Sequence, residues 1–207
     1  MELKHTTGWS RMLEDKKINE LKNRMKNFIA GGTVKTKGTI EFVSFFLKNA
    51  EISLATANIL AAATNNPEIS RQAGYKDYDG SLWIINSSYY SMFYMVRALL
   101  ESEGIKLSSE VSIHSLAFDA LVYFFYLNGK LEKKMIEEFG EAQDEASKLL
   151  GQKKAEEIIG NYFSEKNKRA NYTYTMGAVA MKNKAKTSLK RARAFKNDIA
   201  KMINAKG

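Results

Sequence analysis

The chain has no cysteine, one proline and two histidines among its 207 residues. Without cysteine it can form no disulfide and no thiolate metal site, and it can have no cysteine nucleophile. Two histidines, His5 and His114, are too few for a metal site built from several imidazoles. The composition therefore excludes thiolate chemistry and histidine-cluster chemistry, and we expect neither a resident metal nor a cofactor.

The sequence also lacks long apolar runs. No stretch of roughly 18 apolar residues is present, and the N-terminus has no signal-peptide core. We therefore expect a soluble cytoplasmic protein with no membrane partner. A hydrophobic content of 44% is enough for a real core, and 207 residues suit one domain with an appended element.

Apolar residues recur at three- and four-residue steps, which is typical of helices. No segment alternates apolar and polar residues as a half-buried strand would, so we expect helices and no β-sheet. The segment 80–104 is the most apolar and reads as a central, buried helix. Asp79 is its predicted N-cap, and Gly104 is the predicted left-handed residue at its end. Arg97 lies on this helix, where burial favours an internal ion pair.

The same periodicity predicts five further helices, at Ser10 to about Phe28, Thr39 to about Ala63, Ser112–Leu127, Leu131–Leu150 and Ala178 to about Asn204. Residues 29–38 read as a glycine-bearing linker, and residues 64–79 as a long surface or functional loop. Gly151 separates the fifth helix from a second helical pattern that starts at Gln152. We expect Ser164–Gly177 to be non-helical, because Asn171 to Thr175 have little helix propensity.

These elements predict an all-α protein. We expect residues 39–207 to form a bundle of about five helices, and residues 1–38 to add an N-terminal helix and linker.

The formal net charge of +9 favours a polyanionic partner such as RNA or DNA, although a solvated lysine-rich surface is the alternative. The charge of the last helix is almost entirely positive. After Gly177 only Asp198 opposes nine lysines and arginines. This pattern predicts contact with a nucleic acid or an acidic protein, or else a solvated face.

A polar, aromatic segment before the last helix is the first candidate site. An arginine can fork two phosphate oxygens, and neighbouring tyrosines can stack on bases. The alternative is an interhelix turn whose tyrosines pack on the bundle. The predicted nucleic-acid or nucleotide-binding residues are Lys168, Arg169, Asn171, Tyr172 and Tyr174, extended by Lys190 and Arg191 of the last helix.

Two other features could carry chemistry. His114 has the near-neutral pKa of a general acid or base, although a core or capping histidine is the alternative. The acidic residues from Glu137 to Glu145 could hold magnesium, although a solvated helix face is the alternative.

Five segments, taken in order, resemble the HEPN superfamily, helical domains often paired with minimal nucleotidyltransferases in archaea and bacteria. They are Ser88–Leu100, with its tyrosine-rich run into Arg-Ala-Leu-Leu, Glu103–Lys106, Ile113–Leu116, Asn128–Leu131 and Arg169–Tyr172. The resemblance covers roughly Ile40 to Ala205. It implies an up-and-down bundle of four or five helices, a homodimer and a nucleotidyltransferase-type partner protein.

In nuclease members of that superfamily, an arginine followed after four to six residues by a histidine forms a metal-independent ribonuclease site. Arg169 matches the arginine, but no histidine follows it up to Met176. The chain is more similar to the branch with arginine and then aspartate-tyrosine, with Asn171 in place of the aspartate. We therefore expect a non-catalytic or weakly catalytic domain that binds RNA or a nucleotide.

Two alternatives stay open. One is an active ribonuclease of a toxin–antitoxin or antiviral system, with Arg169, His114 and Tyr172 as catalytic candidates. A tyrosine with an ordinary pKa near 10 is a poor substitute for histidine in that role. The other is a structural interaction module in which Arg169 pairs internally with a carboxylate of the fifth helix.

Overall fold

In the computed structural model of the chain, the described residues are Leu13 and residues 15–108, 112–160 and 170–205. Side chains are described for all of these except 150–160 and 170–179.

The described chain is almost entirely helical, which confirms the predicted all-α class. Its seven α-helices are α1 (Asp15–Ala30), α2 (Val43–Asn65), α3 (Pro67–Gln72), α4 (Ser81–Ser102), α5 (Ile113–Leu121), α6 (Lys133–Gly160) and α7 (Ala170–Asn204). A π-helical turn, Val122–Tyr126, directly follows α5. None of the described helices has both the length and the apolar character that crossing a membrane requires.

Contacts divide the chain into two compact units. The first contains the residues up to Ala50, Met92–Glu141 and those from Phe195 onward, and the second contains Glu51–Ser91 and Ala142–Ala194. Each unit therefore draws on several separate stretches of sequence. The boundary at Gly38, between an N-terminal helix and a bundle, stays a prediction.

An ion pair joins α1 to α5 in the first unit. Arg24 donates from Nε to Oδ2 of Asp119 at 2.7 Å and from Nη2 to Oδ1 at 2.9 Å. The Asp119 side chain is only 9% exposed, whereas that of Arg24 is 46% exposed. Leu21 and Met25, on either side of this arginine, are buried. The two parallel hydrogen bonds of the Arg24 guanidinium therefore orient α1, while its buried apolar residues supply the hydrophobic stabilisation.

A short β-ladder is also present in the first unit, so the expectation of no sheet was wrong. Strand β1 (Val34–Lys35) pairs antiparallel with β2 (Lys106–Leu107), in a register that sets Val34 opposite Leu107. Two residues per strand are too few to show a period-two pattern, which is why periodicity could not reveal them.

Gly104 ends α4 as predicted. Its φ is +69°, the Ile105 N–H donates to the Leu100 carbonyl at 2.9 Å, and the Gly104 N–H donates to the Glu101 carbonyl at 2.9 Å. This is the paired hydrogen-bond pattern of a Schellman cap. The Gly38 N–H in turn donates to the Gly104 carbonyl at 2.8 Å, so the linker passes directly over the cap.

The predicted residue Asp79 also caps the start of α4, because its Oδ1 accepts the N–H of Ser81 at 2.9 Å. It does so from one residue before the N-cap position, which Gly80 holds, since the Gly80 carbonyl accepts the Ile84 N–H at 2.9 Å. Beyond this cap most of the helix is buried, as its apolar character indicated, while Trp83 and Tyr90 are exposed. In the second unit its residues join a core formed by Ala57, Ile84, Ile85, Leu149, Ala185 and Leu189.

The predicted loop 64–79 contains a helix that periodicity did not reveal. Asn66 caps α3 by accepting the N–H of Glu68 on Oδ1 at 3.0 Å, and Pro67 occupies its first turn. Both are ordinary helix-start signals. Six residues are too short a stretch for an apolar repeat, so capping residues were the only available evidence.

The predicted break at Gly151 was wrong, and the predicted break Ser164–Gly177 was wrong from Ala170 onward. Helix α6 continues through Gly151 to Gly160, and α7 begins at Ala170, inside the predicted break Ser164–Gly177. A glycine in a helix costs about 1 kcal/mol relative to alanine, and asparagine, threonine and tyrosine cost less. Extending an existing helix requires no new nucleation, so these penalties are too small to stop it.

Arg24→Met should lower the free energy of unfolding by about 1–3 kcal/mol, because it leaves a buried carboxylate without its donor. Urea denaturation measures the change. Arg71→Met is the matched control, since both partners of its pair with Glu68 are at least 60% exposed, and it should change stability by less than about 0.5 kcal/mol. Equal effects of the two substitutions would contradict this assignment.

Gly104→Ala should destabilise the protein more than Gly129→Ala. The two glycines have nearly the same φ, +69° and +68°, so both alanines carry the left-handed penalty of about 1–2 kcal/mol. A Cβ at position 104 would also lie 2.7 Å from the Gly38 carbonyl oxygen, whereas position 129 is open. We expect about 1–3 kcal/mol more for Gly104→Ala, measured by urea unfolding, and equal losses would refute it.

Candidate functional site

The predicted arginine–tyrosine site lies largely outside the described residues. Lys168 and Arg169 fall in the stretch that is not described. Asn171, Tyr172 and Tyr174 lie in the first turns of α7, where the backbone is helical and the side chains are not described. Their role in binding therefore stays a prediction.

Lys190 and Arg191 are adjacent in sequence but have different surroundings. Arg191 Nη1 lies 3.1 Å from Glu145 Oε2, its side chain is 12% exposed, and Ser188 donates to the same carboxylate oxygen at 3.1 Å. Arg191 thus ties α7 to α6, and its charge is already compensated. Lys190 is exposed and lines a groove.

This groove, which we call the lysine groove, lies in the second unit among the end of α2, the start of α4 and one face of α7. It has a volume of about 500 Å³. Four cationic side chains of α7 line it, namely Lys182, Lys186, Lys190 and Arg193. Ala61, Ile84 and Leu189 are among its apolar lining residues, so the groove combines a partly apolar wall with a row of charges.

The positive charge of the lysine groove is not neutralised within the described part of the chain. No aspartate or glutamate is among the described residues that line it. In that same part of the chain, none of its four cations forms an ion pair. Arg193 donates to the side-chain oxygen of Asn58, a neutral partner. The groove therefore suits an anion.

The cations form a regular row because of helix geometry. Lys182, Lys186 and Lys190 are spaced at i, i+4 and i+8, so they project from one face at intervals of about 6 Å along the axis. Such a row matches a ligand with several phosphates in series better than a single small anion. This spacing was visible in the sequence, but Lys182, Lys186 and Arg193 were not among the predicted site residues.

A second, smaller depression adjoins the lysine groove, and we call it the tyrosine recess. Its volume is about 250 Å³, and it shares Thr64 and Lys182 with the groove. Its other walls include Lys76, Asp77 and Tyr78 of the connection between α3 and α4. The predicted surface loop therefore contributes side chains beside the row of cations.

His114 lies in the first unit and is half-buried, with its ring centroid 4.4 Å from that of Phe93. Burial, and to a smaller extent the charge of Arg97, lowers the pKa of His114 below its usual value. The neutral imidazole is therefore favoured in the folded protein at physiological pH.

Arg97 does not form the predicted ion pair with any carboxylate in the described residues. Its guanidinium lies over the Phe46 ring, 4.6 Å from the centroid. The nearby carboxylate of Glu101 is engaged elsewhere, since it accepts the Phe42 N–H at 3.2 Å and lies 3.6 Å from Lys106 Nζ. A cation–π contact therefore replaces the expected salt bridge.

The acidic face of α6 behaves as a charged helix surface. Glu137 and Glu138 pair with Lys133 and Lys134 at i,i+4 spacing, and Glu145 pairs with Arg191. Among the residues that the structure describes, no three histidine, aspartate or glutamate side chains come together as metal ligands would.

The imidazole signal of His114 should titrate below about pH 6.5 in an NMR pH titration, because burial disfavours its charged form. Its absence in His114→Gln assigns the signal. Since the folded pKa lies below the unfolded one, this residue costs no stability above about pH 6.5 and destabilises the fold as the pH falls below it. Titration at or above the usual value would contradict the burial.

Comparison with protein-family models, with curated proteins and with solved structures finds no match to this chain.

Proposed function

We propose that the protein binds RNA, and that the lysine groove contacts the phosphates. The observation that carries this proposal is the row of four α7 cations without any carboxylate among the described lining residues. Lysine and arginine side chains that neutralise phosphates release condensed counterions, which supplies most of the affinity for a nucleic acid backbone.

The neutral lining residues of the groove add polar contacts. Thr64, Asn65 and Asn183 line it, and hydroxyl and amide groups of this kind commonly donate to phosphate or sugar oxygens. The Ser81 hydroxyl is buried at the wall and has no hydrogen-bond partner among the described residues. These groups would fix the position of an RNA strand without selecting its base sequence.

We propose binding without catalysis at this groove. Moving the proton of a ribose 2′-hydroxyl requires a positioned acid or base, most often a histidine or a carboxylate. The described lining residues include neither. The resemblance to the HEPN superfamily, in the branch without the motif histidine, supports the same interpretation. A nucleotidyltransferase-type partner protein belongs to this proposal on the resemblance alone.

A homodimer is also part of the proposal, and one surface supports it. Ile52 and Ile59 of α2 lie seven residues apart on one face and are 51% and 67% exposed. A second copy of the chain would cover these side chains, whereas the homodimer itself belongs to the proposal on the resemblance.

The fourfold substitution Lys182→Gln, Lys186→Gln, Lys190→Gln and Arg193→Gln should weaken binding of a fluorescent RNA by about tenfold or more. It should also flatten the dependence of log affinity on log salt by about 0.7 for each phosphate that the protein no longer neutralises. Fluorescence anisotropy at several salt concentrations measures both quantities. Arg169→Ala, in a separate arm, tests whether the predicted arginine contributes.

The matched control removes the same charge elsewhere, through Lys17→Gln, Lys22→Gln, Lys48→Gln and Lys184→Gln, all at exposed positions that do not line the groove. The control should retain wild-type affinity. If the two fourfold variants reduce affinity equally, binding follows net charge alone and the groove is not the site.

A further inference from the structure

The connection between α3 and α4 displays a tyrosine in a fixed position. Helix α3 is closed by Gly74, with φ +87° and its N–H donating to the Arg71 carbonyl at 2.9 Å. The next N–H, of Tyr75, donates to the Ser70 carbonyl at 2.8 Å. The Tyr75 side chain is nevertheless 65% exposed. Its ring is therefore presented to solvent from an ordered backbone.

Tyr78 adds a second ring to this wall. The Tyr75 and Tyr78 ring centroids are 6.4 Å apart, with their planes at 52°. Tyr78 packs over Gly80, where a Cβ would lie 2.7 Å from the Tyr78 hydroxyl oxygen. The Gly80 N–H donates to Thr64 Oγ1 at 3.0 Å, which anchors this backbone to the end of α2. The two rings thus form an aromatic wall, of which Tyr78 lines the tyrosine recess and Tyr75 extends beside it.

Charge distinguishes the recess from the groove. The described lining of the lysine groove carries four cations and no carboxylate, whereas the recess contains Asp77 and Asp79 as well as Lys76 and Lys182. Carboxylates repel phosphates, but they accept hydrogen bonds from the amino groups of bases. The recess therefore suits a base and the groove suits phosphates.

The two depressions meet at Lys182 and Thr64, which line both. We propose that the tyrosine recess binds an unpaired base of a strand whose phosphates occupy the lysine groove, so that the preferred ligand is single-stranded RNA. This inference rests on the proposed function of the groove. A base held against the tyrosine wall cannot also lie in a duplex, because bases are read in this way only when they are unstacked.

The test compares two fluorescent probes of equal length, a short RNA without self-complementarity and an abasic strand with the same number of phosphates. Wild-type protein should bind the RNA more tightly, by roughly 5- to 150-fold for one stacked base. Tyr75→Leu with Tyr78→Leu should remove that preference, while leaving the abasic affinity and its salt dependence unchanged. A duplex RNA carries more phosphates, so it is compared between variants, and Tyr75→Leu with Tyr78→Leu should leave its affinity unchanged.

Two further variants separate stacking from folding. Tyr75→Phe with Tyr78→Phe keeps both rings and should keep the preference for bases. Tyr75→Leu alone removes the ring that extends the wall beside the recess, so a reduced preference for bases is still measurable if substitution of Tyr78 prevents folding. Phe45→Leu is the matched control, since Phe45 is a 56% exposed ring that lines neither depression, and it should behave as wild type.

The outcomes separate the two proposals. If neither probe binds, the RNA-binding function of the groove is overturned, and this inference falls with it. If both probes bind with equal affinity and a steep salt dependence, the groove function stands and the base site is refuted. Loss of the base preference in the tyrosine-to-leucine variants, with its retention in the tyrosine-to-phenylalanine variant, supports the base site.

Discussion

The cations on one face of α7 repel one another, and the proposed function depends on how the structure tolerates this repulsion. Like charges at i,i+4 oppose helix formation by about 0.2–0.5 kcal/mol per pair, and Lys182, Lys186 and Lys190 form two such pairs. Helix α7 tolerates these pairs because its buried residues Ala185 and Leu189 pack in the core of the second unit. A polyanion lying along the row would replace this repulsion by attraction, so the same spacing that destabilises the free helix favours the ligand.

The connection from α2 to α4 shows how capping chemistry can position side chains for binding. Asn66 starts α3, Gly74 ends it, and Asp79 starts α4. Each is a local signal that acts within a few residues of chain. Together they fix the backbone on both sides of the two tyrosines, so a ligand that orders those rings costs side-chain entropy but little backbone entropy.

The capping signals at the two ends of α4 were predictable from local sequence, whereas contacts with distant partners were not. The caps at Asp79 and Gly104 depend on backbone geometry within one turn, and both were found. Arg97 was expected to pair with a carboxylate, but Glu101 is taken by Lys106 and by a backbone N–H, which no sequence pattern shows. Of the candidate site, the sequence indicated a basic α7 face, but it could not select the four side chains that line a groove.

Lys190 and Arg191 show why net charge alone is weak evidence for a nucleic-acid site. Consecutive residues of a helix point about 100° apart. Because of this angle, Lys190 lines the lysine groove while the next residue, Arg191, pairs with Glu145. The charge of Arg191 therefore contributes to the fold. The +9 total cannot distinguish these two uses of a cation. The informative quantity is the charge that lacks a carboxylate partner within the described structure. On α7 four such charges line the lysine groove, beside the wall formed by Tyr75 and Tyr78.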